Sequence, residues 1–104
     1  MINCLCVIQE GQGPDQQREQ LASILNTYSE ENFGDSLTVN WLPVAKGNGF
    51  TAAQPSTSSV LSITANEALS PERRELILRD LVSLWTDHTG CTVDEIVAVV
   101  ADPQ

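Results

Sequence analysis

Ile2-Asn3-Cys4-Leu5-Cys6-Val7-Ile8-Gln9 is short, β-prone and apolar at almost every position. A strand that reads this way is covered on both faces or lies at a subunit contact, because a strand with one wet face alternates. Gly11-Gln12-Gly13 breaks the run. Pro14 then suits the first position of a helix, with Asp15 near its positive end. Leu21, Ile24, Leu25 and Tyr28 recur at helical spacing, which predicts a helix over Pro14–Phe33 stopped by Gly34. Leu37, Val39 and Trp41 alternate with Thr38 and Asn40, the pattern of a half-buried strand over Leu37–Val44.

A second strand–helix–strand unit of similar length follows: a strand over Val60–Ala65, a helix over Pro71–His88 and a strand over Ile96–Val100. Ser70 is a good N-cap, Pro71 fits the first helical position, and Glu72 and Glu75 lie near the positive end. Leu76, Ile77, Leu78, Leu81, Val82, Leu84 and Trp85 cover more than half the helix circumference, so this helix packs against a sheet and another element. Gly90 ends it, and Thr92-Val93-Asp94-Glu95 fits a capping box before a last strand that is again apolar on both faces. Between the units, 46–59 (KGNGFTAAQPSTSS) lacks strong periodicity and reads as a long loop with a contact role for Phe50.

The expected fold class is α/β (α+β): two tandem β-α-β units forming a four-stranded sheet with two helices on one face. A crossover helix makes the two strands of each unit parallel. Element order alone also fits a ferredoxin-like sheet with antiparallel neighbours. The expected organisation is one domain over 1–104, with repeats at about 1–45 and 60–104 and the loop 46–59 between them. Strands apolar on both faces in so small a sandwich imply association.

Fourteen acidic residues against five basic ones give a formal charge of −9, which repels phosphate backbones and argues against nucleic acid as a partner. No apolar run approaches the ~20 residues of a membrane span. The opening residues lack the basic segment and uninterrupted apolar stretch of a signal peptide, so the expected compartment is cytoplasmic. Three cysteines make no disulfide framework; Cys4 and Cys6, two apart on a strand, share one face and read as small buried thiols.

Taken together, the chain resembles the tautomerase superfamily, and within it the subgroup like cis-3-chloroacrylic acid dehalogenase. The resemblance rests on Val7-Ile8-Gln9-Glu10 followed by Pro14, and on Val39-Asn40-Trp41 leading to Gly47-Asn48-Gly49-Phe50. Ser70-Pro71-Glu72, opening a helix that feeds a final strand, completes it. It implies a homotrimer with active sites at subunit boundaries and an N-terminal proline as base, acid or nucleophile. It also implies arginines that hold a substrate carboxylate and a histidine on the first helix. The proline position falls at Met1 and the histidine position at Tyr28, while the arginine positions fall within Asn66-Glu67-Ala68-Leu69. Arg73 and Arg74 lie one turn later, and the family's later acidic residue has no clear counterpart.

The resemblance therefore implies a trimeric binding module for a small molecule or a protein, without proline-dependent catalysis. The alternative is a weak tautomerase, hydratase or decarboxylase on a small keto or unsaturated acid. The Met1 α-amine would abstract a proton or form an imine, with Tyr28, Arg73 and Arg74 as helpers. A small carboxylate or keto-acid is the expected ligand, and no cofactor is implied. Cys4, Cys6, His88 and Cys91 are four residue types that zinc can use, but a histidine and cysteine at a helix end are ordinary, and no metal site is expected. Lys46-Gly47-Asn48-Gly49 lacks the spacing and adjoining helix of a phosphate loop. Tyr28 reads most simply as a core residue.

Overall fold

The computed structural model describes residues 1–104. Strand β1 (Ile2–Gln9) leads through a short helix α1 (Gly13–Gln16) into helix α2 (Arg18–Phe33) and strand β2 (Leu37–Val44). A two-stranded hairpin, β3 (Phe50–Thr51) and β4 (Gln54–Pro55), separates this unit from β5 (Ser59–Thr64), α3 (Pro71–Thr89) and β6 (Ile96–Ala101). The four long strands form one sheet in the order β2-β1-β5-β6. Within each unit the strands run parallel, and the units meet antiparallel at β1 and β5, where Cys4 pairs with Ile63. A ferredoxin-like sheet would place antiparallel strands side by side throughout, so the pairing resolves the ambiguity of element order in favour of two β-α-β units.

Both long helices cover the same side of the sheet. Leu21, Leu25 and Tyr28 of α2 and Ile77, Leu81 and Trp85 of α3 pack with Ile2, Cys4, Cys6 and Ile8 of β1 and Leu61 and Ile63 of β5. Cys4 and Cys6 are fully buried with their Sγ atoms 3.7 Å apart. The hydrogen bond shared with Cys4 and burial both push the Cys6 thiol far up, which suits inert core packing. The opposite side of the same strands has no cover. Strand pairing aligns Leu42, Val7, Val60 and Val97 in one row and Asn40, Leu5, Ser62 and Val99 in the next. Leu5 and Val99 are 43% exposed, Leu42 51% and Val97 54%.

Local chemistry explains most boundaries. Ser70 Oγ accepts from the Arg73 N–H at 3.1 Å, and the expected capping box at Thr92–Glu95 is formed on a single 3-10 turn, Val93–Glu95. Gly34 takes a left-handed conformation (φ 67°) and its N–H bonds the Glu30 carbonyl, closing α2. Three readings of the sequence needed revision. The first helix is not continuous from Pro14: Gln17 leaves the helical region (φ −116°, ψ 21°) and its N–H reaches back three residues to Pro14 O. Asp15 holds that first turn apart by accepting from the Gly11 N–H at 2.9 Å and from Arg18 Nε at 2.9 Å. The stretch 46–59 is not structureless, since Phe50–Pro55 forms the hairpin. Strand β5 also starts and ends one residue earlier than expected, and β6 runs one residue further, with Ala65 N donating to Ala101 O just past β5.

Candidate functional site at the start of the first strand

The parallel register Ile2↔Leu37 sets the residues before β1 beside those that link α2 to β2. Ile2 is 1% exposed and its N–H donates to Ser36 O at 2.8 Å, so position 2 belongs to the core and the sheet. Met1 lies outside, 73% exposed, with its sulfur accepting from Thr38 Oγ1. Its α-amino nitrogen is 2.8 Å from Asp35 Oδ2. The hydrogen bond from that amine, joined by the Ser36 N–H on Oδ1, holds the Asp35 carboxyl below the usual carboxylate range. Both oxygens of Asp35 are thus engaged by groups of the chain itself.

The other residues singled out from the sequence do not converge on Met1. Tyr28 is buried between the helices, donates its hydroxyl to Ile77 O at 2.8 Å and stacks edge-on with Phe33 at 6.2 Å between ring centroids. Burial, reinforced by the Asp80 carboxylate, pushes its phenol up, so it stays a neutral donor. Arg74 ties three points together: the Val100 carbonyl at 2.7 Å, the Leu69 carbonyl at 3.3 Å and Asp102 at 2.6 Å. Asp102 also accepts from the Leu69 N–H, and that bond together with Arg74 holds its carboxyl down. This cluster fastens the start of α3 to the end of β6. Arg73 has the loosest hold, with only two 3.4 Å contacts to Asn32 O and Oδ1.

Asp35 was the residue that sequence reasoning missed. Its signal was present, because any parallel pairing of the strands that starts Ile2 opposite Leu37 brings residue 35 next to the amino terminus. A separate groove of about 550 Å³ runs between α2 and α3, where Tyr28, Glu31, Asp80, Asp87 and His88 line it. Three carboxylates and a single histidine make it a poor receptor for an anionic acid. Cys4 and Cys6 face the core while His88 lines this groove, and no three potential metal ligands cluster anywhere. No helix is long and apolar enough to cross a membrane.

No family model matches the sequence, and no curated protein matches it. The fold, in contrast, is shared with solved structures. Native Ps01740 superposes with a TM-score of 0.85 at 22% identity, covering 97% of this chain and 93% of that one. A symmetric trimer of Q0 fused 4-OT gives a TM-score of 0.82 at 13% identity over 97% and 85% of the two chains. N1, a member of the cis-3-chloroacrylic acid dehalogenase (cis-CaaD) family, gives 0.81 at 12% identity over 97% and 74%. The structural neighbours are tautomerase-superfamily members, and at these identities the likeness is one of fold.

Proposed function

We propose that this protein is a cytoplasmic homotrimer of the tautomerase superfamily, in the subgroup like cis-3-chloroacrylic acid dehalogenase, that lacks proline-dependent catalysis and serves as a binding module. The observation that carries the reading is the 2.8 Å pairing of the Met1 amine with Asp35. A general base or imine-forming amine needs a free lone pair beside its substrate. Here the nitrogen is committed to a carboxylate, and Tyr28 and Arg74 are committed to backbone carbonyls elsewhere. Position 2 offers no replacement, because its nitrogen faces the Ser36 carbonyl and its side chain fills the core.

The apolar row Leu42-Val7-Val60-Val97 supports the trimer. Contiguous exposed apolar area on a small protein marks an interaction site, and covering it would satisfy strands that read as buried on both sides. For a small carboxylate or keto-acid ligand, Arg73 is the arginine with least to give up, since it holds no ion pair and would trade two 3.4 Å contacts for a bidentate one.

Three experiments test this reading. Light scattering is expected to give about 34 kDa, three times the 11.3 kDa chain, and a mass of 11.3 kDa would remove the trimer. Phenylpyruvate is expected to tautomerise no faster than in buffer, and borohydride reduction with a small ketone or aldehyde should leave Met1 unmodified. A covalent adduct at the Met1 nitrogen would sink the binding-module reading in favour of an amine-dependent enzyme.

A further inference from the structure

We propose that Asn48 is a site of spontaneous backbone modification: the Gly49 amide nitrogen closes on the Asn48 side chain, releasing ammonia, and water reopens the ring to aspartate or isoaspartate. In the closing step a bond forms between Gly49 N and Asn48 Cγ while the bond from Cγ to Nδ2 breaks, and the Gly49 amide proton leaves with the ammonia. Water then adds its hydroxyl to one of the two succinimide carbonyls and its proton to the ring nitrogen. Opening at Cγ restores the peptide bond with an aspartate side chain. Opening at the main-chain carbonyl leaves the chain running through the side chain, lengthened by one methylene. No oxidant or enzyme is required.

The attack needs an unshielded, unbonded amide nitrogen, a free carboxamide and a chain flexible enough to bring them together. Glycine supplies the first because it carries no side chain. Gly49 lies outside any strand; its carbonyl accepts from Ser56 N–H at 2.8 Å, but its own N–H donates to no backbone carbonyl. Asn48 is exposed in the turn closed by its N–H to Ala45 O at 2.9 Å, and Gly47 beside it takes a φ of 86°. The remaining asparagines lack this combination. Asn3 and Asn40 lie within strands and precede Cys4 and Trp41. Asn26 and Asn32 are in α2 with their side chains engaged at both atoms or at the backbone. Asn66 donates to Phe33 O and precedes Glu67.

The same structure says what the modification does. A Cβ built on Gly49 would stand 3.1 Å from Gln9 Oε1 and 3.2 Å from Val44 Cγ1, so the backbone there presses against the ends of β1 and β2. An added main-chain methylene there has to displace the Gln9 and Val44 side chains. It lifts the β3–β4 hairpin, breaks the Ser56–Gly49 bond and adds a negative charge beside exposed Phe50. Aspartate adds the charge alone.

The test is prolonged incubation of the folded full chain in mildly alkaline buffer, followed by peptide mass mapping and isoaspartyl methyltransferase labelling. Conversion of the amide to an acid is expected in the peptide that carries Asn48, with isoaspartate in excess over aspartate and the other five asparagines intact. Asn48→Gln, which retains the carboxamide but needs a larger ring, should abolish the label. In the purified isoaspartyl form, the Ser56 N–H should exchange with deuterium faster than in fresh protein. A synthetic peptide spanning 44–54 calibrates the intrinsic rate. If the peptide converts while Asn48 in the folded chain stays intact, the turn protects the site and the inference is overturned; conversion first at another asparagine overturns it equally.

Discussion

One sheet here has two unlike sides. On the helix side, Leu61 and Ile63 are fully buried beneath Ile77, Leu81 and Trp85; on the other, Val97 and Val99, the β6 partners of Val60 and Ser62, stand in the open. Both sides come from the same strands, residue by alternate residue, and both carry apolar side chains, the open one with Asn40 and Ser62 among them. Apolar character therefore says which residues seek cover but not who supplies it. The chain covers one side with its own two helices and has no third layer for the other. A second copy of the chain is the simplest source of that layer in the proposed trimer.

An identical charge placed on either side separates the two situations most sharply. Leu61→Asp puts an unpaired carboxylate at a site with 0% exposure, which costs several kcal/mol, comparable with the whole stability of a small domain. Circular dichroism should show an unfolded chain. Val97→Asp adds the same group to the bare side, where a single copy keeps it hydrated. The expected product is a folded 11.3 kDa monomer, seen as retained dichroism with loss of the larger mass. If Val97→Asp remains a trimer, the bare face is not the subunit contact.

Within the helix side, Trp85→Ala should cost about 3–5 kcal/mol in urea unfolding, since it empties the largest fully buried side chain. The indole N–H has no partner among the protein's own groups, so no hydrogen bond within the chain is lost with it. Tyr28→Phe should cost less, about 1 kcal/mol, through the lost bond to Ile77 O. That number also discriminates roles. If Tyr28 served a ligand rather than the core, Tyr28→Phe would leave stability unchanged and alter binding instead.

The same asymmetry explains how much could be read beforehand. The continuous apolar runs at Ile2–Ile8 and Ile96–Val100 and the cap at Ser70 were legible, because burial and capping act through neighbours in sequence. The doubled β-α-β order followed from them, and strand pairing then chose the sheet. The break at Gln17 was not legible: helical spacing continues through it, and only the Asp15–Gly11 contact shows why the first turn stands apart. The hairpin at Phe50–Pro55 was hidden for a different reason. Its turn places Ala52 and Ala53 at φ of 52° and 61°, where Asn or Gly would have been the readable signal. Met1, Tyr28, Arg73 and Arg74 came from an alignment to a family pattern, which carries residue positions but no partners. What fixes each role is a contact distant in sequence, such as Tyr28 with Ile77 or Met1 with Asp35.

The smallest expected effect tests that last contact, and its sign is fixed by the direction of the carboxylate shifts. Asp35, Asp15 and Asp102 are each held below their ordinary value, by the Met1 amine, the Gly11 N–H and the Leu69 N–H respectively; Glu95 is held down by the Thr92 N–H. A group depressed in the folded state adds stability that is complete above its unfolded value and disappears as pH falls through the folded one. Stability should therefore decline on acidification below about pH 4, where free carboxyls titrate. Asp102 is exposed and the other three lie half-buried at the surface, within reach of solvent, so each contributes little. Asp35→Asn removes one of them, and the acid limb of a stability-against-pH curve should become slightly shallower while the neutral plateau drops. The same variant releases the Met1 amine from its carboxylate. If catalysis were merely masked by that pairing, Asp35→Asn would gain phenylpyruvate tautomerisation or borohydride trapping at Met1. A shallower acid limb with no gain of either would mean that Asp35 anchors the strand and conceals no base.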